Sequence, residues 1–289
     1  MKKVILTVSL ATATAVLLFV GCAKKKDKDS STPDYSTATE ANSNQSDFDD
    51  MHKVVQDAMS NQGVLQGYRT SNTSSCSSIT LYNSNSSDDD TITIDYGTTG
   101  CTGSDLRVRK GILIAIFSGY YVDQGTVVRI LTQNYYVDGR KIDGQRKITN
   151  NGASSGDTTF TIVDTDVTGA AGTYAQITQT NGNVGKWRST RTRTWTAGAN
   201  TVSNWTDDIL TVNGTADGVT SSGVSYSLTA TNIELKLYCW SFDMFAPVSG
   251  TLSLVTSDGT RSLDYGDGTC DKSAVFTDKN GKTYTITIY

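Results

Sequence analysis

The chain contains little histidine, glutamate or proline. Among its 289 residues are one histidine, His52, and two prolines. Glutamate occurs only at Glu40 and Glu234, although aspartate is frequent. Serine hydrolases need a positioned base, most often histidine, and glycosidases need two opposed carboxylates. The sequence marks neither set, and no glycine-rich phosphate loop opens a helix, so we predict a protein that is not an enzyme.

Basic residues are fewer than acidic ones, and the cysteines are widely spaced. Beyond residue 45 there are 19 basic and 25 acidic residues, a net charge of −6, which argues against a nucleic-acid partner. The five cysteines form no CxxC pair, and with a single histidine they give no zinc site. We therefore predict that the protein binds no cofactor.

The first 22 residues have the features of a processing segment. Lys2 and Lys3 precede an apolar run over residues 4–20, and Gly21 and Cys22 close it. This ending resembles the lipobox of bacterial lipoproteins, which implies that residues 1–21 are a signal peptide and that lipid on Cys22 holds the protein at a membrane. The alternatives are an ordinary signal peptide and a short membrane anchor, although hydroxyl residues in a run of this length make spanning marginal.

The next segment, residues 22–45, holds almost no large apolar side chain, so we predict a disordered tether. From Ser46 to Gln62, apolar residues recur at spacings of three and four and predict one amphipathic helix. Its stripe consists of Phe48, Met51, Val54, Val55, Ala58 and Met59. We expect the stripe to pack on the rest of the fold. His52 stands beside acidic residues and is predicted to be solvated.

Apart from that helix, residues 46–289 are predicted to form a single all-β domain. The segment 283–288 alternates threonine with large side chains, which is typical of a strand with one solvated face. Asn280-Gly281 precedes it and is a strong hairpin-turn sequence. Residues 112–117 are apolar at both parities, which indicates a strand covered on both faces. We predict an antiparallel meander curled into a barrel, a half-barrel or a sandwich.

Two stretches, about 64–150 and 225–289, share an order of features that indicates an internally duplicated strand unit. Each contains a cysteine, a strand, an Asp-Tyr-Gly sequence, a second cysteine and another strand. Four cysteines besides Cys22 in an exported chain suggest two disulfides, and the duplication suggests one in each copy. The predicted pairs are Cys76–Cys101 and Cys239–Cys270. A bridge between the copies is the alternative.

A glycine-rich loop near the C-terminus is a candidate metal site. Asp264, Asp267 and Asp271 crowd this loop, and carboxylates on such a loop can bind calcium. Their spacing departs from that of the EF-hand loop, however, and the companion loop after Asp95 lacks the second and third carboxylates. We therefore favour a structural turn and predict no metal.

The segment 186–195 combines tryptophan with arginine. If it is a strand, four side chains suited to a charged glycan share one face: Trp187, Arg191, Arg193 and Trp195. Aromatic rings and guanidinium groups side by side can stack on sugars and hold anions. The alternative, which we favour, is that the indoles pack in the core and the arginines reach outward over them. We expect at least one of the two tryptophans to be mostly buried.

Two short sequences resemble the O-glycosylation acceptor pattern of Bacteroidota. They are Asp90-Thr91-Ile92 and Asp157-Thr158-Thr159. The resemblance implies glycans on Thr91 and Thr158, provided that both threonines lie at exposed turns.

The lipobox, the Asp-Tyr-Gly-Cys frames and the glycine-rich hairpins together resemble a group of Bacteroidota envelope lipoproteins. The matching residues lie in 93–101, 141–152 and 263–271. The resemblance implies a location in the cell envelope, facing the periplasm or the medium. We expect the lipid to hold the protein at the outer membrane. Its motifs are structural and imply no particular activity.

We therefore expect a binding or interaction module displayed on the envelope, whose partner is a glycan, a polymer or another envelope protein. One alternative is a carrier of an apolar ligand in a barrel-like cavity, and another is a structural or adhesive surface component. An apolar concavity under the helix would favour the carrier. An exposed aromatic strip would favour glycan binding.

Overall fold

The computed structural model describes residues 35–61, 77–82, 89–121, 123–154, 157–199, 201, 206–242 and 246–288. It contains one α-helix, α1 (Ser36–Asn61), and a short 3-10 helix at Leu237–Phe242. The strands are β1 (Ser78–Tyr82), β2 (Asp90–Asp95), β3 (Cys101–Thr102), β4 (Val108–Phe117), β5 (Val127–Val137), β6 (Arg140–Asp143), β7 (Gln145–Ser154), β8 (Asp157–Thr165), β9 (Ala175–Thr178), β10 (Val184–Ala197), β11 (Ile209–Val219), β12 (Ser225–Lys236), β13 (Ser249–Thr256), β14 (Gly259–Asp267), β15 (Ser273–Thr277) and β16 (Thr283–Thr287).

The strands form one antiparallel sheet in which neighbours along the chain lie side by side. Its order is β1-β2-β4-β5, then β6 with β7, then β8 with β9, and finally β10 to β16, while β3 flanks β4. Among the described strands, the terminal strands β1 and β16 each pair on one side only, so the sheet is not a closed barrel. The predicted all-β antiparallel meander with one N-terminal helix is confirmed.

Two of the long strands are interrupted, and the second interruption matters for the candidate site. Gly144 alone separates β6 from β7, and both pair with β5. On their other side β7 pairs with β8 and β6 pairs with β9. β8 and β9 therefore act as one strand, from which residues 166–174 leave as a loop.

The sheet curves around α1. Every residue from Asp47 to His52 is buried, and consecutive helical residues point in all directions, so a flat sheet on one side could not cover them. Close backbone approach is needed at Gly144, where an added Cβ would lie 3.1 Å from the Phe48 ring and 2.6 Å from the Ala175 side chain. The face of the sheet that contacts α1 is called the inner face below, and the opposite face is called the outer face.

The helix is longer than predicted. It begins at Ser36 instead of Ser46, so residues 36–45 of the predicted tether are helical. This part of the helix is held by polar contacts: Glu40 accepts hydrogen bonds from the Ser221 backbone N–H and hydroxyl, and the Asn44 amide approaches the Tyr226 hydroxyl at 3.4 Å. An argument from apolar content could not detect such contacts. The predicted stripe over 48–59 is buried as expected.

Of the described helices, none is both long and apolar enough to cross a membrane. Residues 1–34, which include the predicted signal peptide, Cys22 and most of the tether, lie outside the described residues. The lipid anchor therefore stays a prediction.

The two Asp-Tyr-Gly sequences form the same local structure. The Gly97 N–H donates to Asp95 Oδ1 at 2.7 Å, and the Gly266 N–H donates to Asp264 Oδ1 at 2.9 Å. The intervening tyrosines are buried in both cases. These turns need glycine because both glycines have positive φ, +71° and +101°.

One predicted disulfide is observed directly. Cys239 and Cys270 are bonded, with their Cα atoms 5.4 Å apart. Cys101 is also disulfide-bonded, but Cys76 lies outside the described residues, so the pair Cys76–Cys101 stays a prediction. The bridge that is observed lies within the second predicted copy, as the duplication suggested.

Candidate functional site

The predicted tryptophan-arginine strip lies in β10 and faces α1. Trp187 is completely buried, and its indole Nε1 donates to Asp164 Oδ2 at 3.3 Å. Trp195 is half-buried against a small cluster of leucines from β11, β12 and the short 3-10 helix. The expectation that at least one tryptophan is mostly buried is therefore confirmed.

The arginines of the strip bind groups inside the protein. Arg191 Nη2 lies 3.2 Å from Asp164 Oδ2 and 3.7 Å from Asp49. Arg193 donates to the Tyr121 hydroxyl at 2.7 Å, and its guanidinium lies 5.4 Å from the centre of the Phe160 ring. The strip is therefore no exposed glycan platform. Alternation along the strand identified which side chains share a face, but it could not show that this face is the inner one.

Arg191 belongs to an ion-pair network that fixes α1 in the sheet. Arg146, which has no exposed surface, donates to Asp164 at 2.7 and 3.0 Å and to Asp49 at 2.6 Å. Burial acts to raise the pKa of Asp164, but the charge and hydrogen bonds of Arg146 outweigh it, so the pKa lies below its ordinary value. Asp164 is therefore ionised at neutral pH and forms a buried ion pair with Arg146.

The same helix contributes two more carboxylates to the network. Asp47 accepts from Arg107 at 2.9 Å and from Arg140 at 2.7 Å, and Asp50 forms a close ion pair with Arg109. A buried charge without a counter-charge is energetically costly, so each carboxylate of α1 and its arginine depend on each other. The network thus acts as a structural lock between helix and sheet.

His52 lies beside this network and is buried, contrary to its predicted solvation. Its Nε2 lies 3.5 Å from the Tyr121 hydroxyl. Burial, followed by the charges of Arg193, Arg146 and Arg191, lowers the pKa of His52 well below its ordinary value. The imidazole is therefore neutral at pH 7. The prediction was wrong because it assumed that only one side of the helix would be covered.

The burial of His52 gives an expected pH dependence. Folding favours the neutral ring, so protonation opposes folding, and the contribution of His52 to stability falls as the pH drops below about 6.5. Asp47 titrates in the same pH range, because burial raises its pKa to about 7. The wild type is therefore compared with His52→Gln, which retains Asp47. Between pH 7.5 and pH 5.5, we expect the stability of the wild type relative to His52→Gln to fall by about 1.4 kcal/mol in urea unfolding. A difference that does not change with pH would contradict a buried neutral His52.

The three carboxylates of the candidate metal loop each serve their own turn. Asp264 accepts from the Gly266 N–H, Asp267 from the Thr269 N–H at 3.1 Å, and Asp271 from the Ser273 N–H at 2.9 Å. Within the described part of the chain, no group of three or more His, Cys, Asp or Glu residues is placed to hold a metal. The geometry favours the structural turn over calcium.

The two candidate glycosylation residues lie in strands. Thr91 is in β2, opposite Tyr82 and Ile116, and Thr158 is in β8, opposite Trp195. Both threonines are half-buried. The exposed turns on which this hypothesis depended are therefore absent at these two positions.

A pocket of about 790 Å³ lies on the outer face, and no pattern in the sequence had pointed to it. Its floor is formed by β4, β5, β7, β8 and β10, and one wall is the loop of residues 166–174. Apolar and cationic side chains both line it: Ile116, Val127, Leu131, Val163, Val167, Arg129, Lys147 and Arg188.

The loop 166–174 is held in place at both ends. Asp166 Oδ1 accepts from the Thr168 backbone N–H at 2.9 Å and hydroxyl at 2.6 Å and from the Gly169 N–H at 3.1 Å. Arg188 donates to the Gly172 carbonyl at 2.7 Å and to Asp217 at 2.8 Å. At Gly169 an added Cβ would lie 1.9 Å from the Gln145 side chain, so glycine allows the loop to rest on the sheet. The wall of the pocket is therefore well defined.

Two cationic side chains lie side by side on the pocket floor. Arg129 in β5 is directly opposite Lys147 in β7. Arg129 Nη2 lies 3.3 Å from Asp89, and both side chains are about half exposed, at 48% and 47%. Lys147 is exposed and forms no ion pair with any described residue. Sequence reasoning missed this pair because it depends on the register between two strands and on a loop that leaves the sheet.

Comparison of the chain with protein-family models, curated proteins and solved structures found no match, so the function is argued from the geometry of this site.

Proposed function

We propose that this chain is a lipid-anchored protein of the bacterial outer membrane that binds a small ligand in its outer-face pocket. The pocket carries the proposal: its volume of about 790 Å³ lies within the range of roughly 300–1,000 Å³ that is usual for small-molecule sites. It also combines apolar walls with a few polar groups, as such sites do. Gly21-Cys22 at the end of the apolar run supports the anchor.

The inner face gives less support to the other candidate functions. A carrier of apolar ligands would need space under α1, but Phe48 and Met51 fill that region together with the ion pairs. A glycan platform on β10 would need exposed indoles, and Trp187 is buried. The outer pocket is therefore the better candidate for a binding site.

Binding also accounts for the pocket better than catalysis does. Asp164 and Ser189 border it, but the Asp164 carboxylate is occupied by Arg146, by Arg191 and by the Ser189 hydroxyl at 2.6 Å. A carboxylate held in this way is poorly placed to accept a proton from a substrate. We therefore propose a binding module and not an enzyme.

A pocket-filling substitution tests the proposal. The mature chain with Cys22→Ser, which carries no lipid, is titrated by calorimetry with phenylnaphthylamine and with its sulfonated relative, anilinonaphthalene sulfonate. We expect one site, and we expect Thr190→Trp to weaken binding by about tenfold or more because its indole occupies space beside Val163. Tryptophan is well tolerated in strands, so folding should be retained.

The matched control is Thr192→Trp. Thr192 is exposed on the same face of β10, two residues further along, and does not line the pocket. This variant should bind both probes as the wild type does. If neither probe binds the wild type, or if Thr190→Trp and Thr192→Trp behave alike, the outer-face pocket is not the binding site.

A further inference from the structure

We infer that the ligand of the outer-face pocket carries an anionic group bound between Arg129 and Lys147, with an apolar body beside it. This inference rests on the proposed function and specifies the class of ligand. The two cations lie side by side in one cross-strand row of the pocket floor.

The register of three strand pairs defines this row. Ile116 in β4 is opposite Arg129, Arg129 is opposite Lys147, and Lys147 is opposite Val163 in β8. The order across the floor is therefore apolar, cation, cation, apolar. Directly opposed residues have Cβ atoms about 5 Å apart, and like charges in this position destabilise a sheet. An anion between the two groups would remove that repulsion.

The inner face shows how this protein treats cations that serve only the fold. Arg109, Arg140 and Arg146 each have an aspartate of α1 within ion-pair distance. On the outer face, by contrast, Lys147 forms no ion pair with any described residue. Its charge is thus available to a ligand.

Arg188, the third cation of the lining, has a different role. Its guanidinium binds Asp217 and the Gly172 carbonyl and lies 4.4 Å from the centre of the Tyr174 ring. These contacts hold the wall of the pocket. The anion is therefore assigned to Arg129 and Lys147, which together offer a fork of donors and a point charge to a carboxylate, phosphate or sulfonate.

The apolar body follows from the neighbours of this row. Ile116 and Val163 flank the cations across the strands, and Val127 and Leu131 flank Arg129 along β5. These four half-buried side chains lose contact with water when an apolar group covers them. A fully polar anion would use only the two charges.

The two naphthalene probes test the charge because they share their rings and differ in the sulfonate. We expect the Cys22→Ser chain to bind anilinonaphthalene sulfonate about tenfold or more tightly than phenylnaphthylamine, since hydrogen bonds to charged groups contribute on that order. Arg129→Gln with Lys147→Gln should abolish this preference and leave binding of the neutral probe unchanged. Lys186→Gln, an exposed lysine of β10 outside the pocket lining, is the matched control.

Asp89 supplies a test in the opposite direction. Its carboxylate competes with the ligand anion for Arg129, so Asp89→Asn should strengthen binding of the sulfonate several-fold and leave the neutral probe unaffected. Weaker binding of the sulfonate by Asp89→Asn would overturn the assignment of the anion to Arg129.

A second pair of ligands separates the anionic group from the rings. Octanoate should displace the bound sulfonate, and octanol, which has the same chain length without a charge, should not. Equal affinity of the wild type for the charged and neutral members of both pairs would overturn the inference but leave the proposed pocket intact. Displacement by glucuronate at concentrations where octanoate is inactive would overturn the apolar body. Failure of every ligand to bind would instead remove the proposed function itself.

Discussion

Replacing Arg146 by methionine is expected to lower the free energy of unfolding by about 3–5 kcal/mol, because it leaves the buried Asp164 and Asp49 without their main counter-charge. Methionine keeps much of the length of the side chain and therefore limits the cavity contribution. Arg146 and Asp164 have no exposed side-chain surface, so water cannot replace the lost partner. Urea unfolding followed by circular dichroism measures the change.

Arg129→Met is the control for Arg146→Met. Arg129 lies on the neighbouring strand and faces the opposite side of the sheet, where its pair with Asp89 is about half exposed. Exposed pairs contribute little, so this substitution should change stability by about 1 kcal/mol or less. If the two substitutions cost the same, the buried network does not hold the helix to the sheet.

Much of the fold could be predicted from local pattern. The alternation in residues 283–288 predicted the strand that is observed as β16, and the apolar run of 112–117 is part of β4, which pairs with strands on both sides. The turns at the Asp-Tyr-Gly sequences are also local. In each of them the aspartate side chain accepts a hydrogen bond from the glycine N–H two residues later. These features depend on residues that are close together in the sequence.

The features that were missed depend on contacts between distant residues. The first ten residues of α1 are stabilised through Glu40 and Asn44, whose partners lie about 180 residues away. His52 is buried because the sheet curves around the helix, and no residue adjacent to it in the sequence indicates this. A hydrophobicity pattern cannot report polar contacts of this kind.

The candidate site was missed for a related reason. Arg129 and Lys147 are 18 residues apart, and only the register between β5 and β7 places them opposite each other. The wall of the pocket depends on residues 166–174 leaving an otherwise continuous strand. The strip that the sequence did indicate, Trp187 to Trp195, has the predicted strand geometry but faces the interior. Periodicity thus showed which side chains share a face, but only the long-range pairing of strands showed which face lies in the interior.

Deletion of residues 36–61 is expected to abolish the cooperative thermal transition of the mature chain. Five large apolar side chains of α1 are buried: Phe48, Met51, Val54, Val55 and Met59. At about 1.5–3 kcal/mol for each, their burial contributes roughly 8–15 kcal/mol, which is as large as the whole stability of a typical domain, about 5–15 kcal/mol. The deletion also leaves the inner-face arginines Arg109 and Arg146 without helix carboxylates.

Differential scanning calorimetry on the Cys22→Ser chain compares this deletion with a shorter one, of residues 24–34, that retains α1. The shorter deletion should melt as the full mature chain does, because the helix and its buried contacts are all kept. A chain without residues 36–61 that still melted cooperatively, with native strand content, would show that the curved sheet is stable without the helix. In that case α1 would not be a necessary part of the core. Because the helix supplies both apolar contacts and the counter-charges, we expect the sheet to lose its packing when α1 is removed.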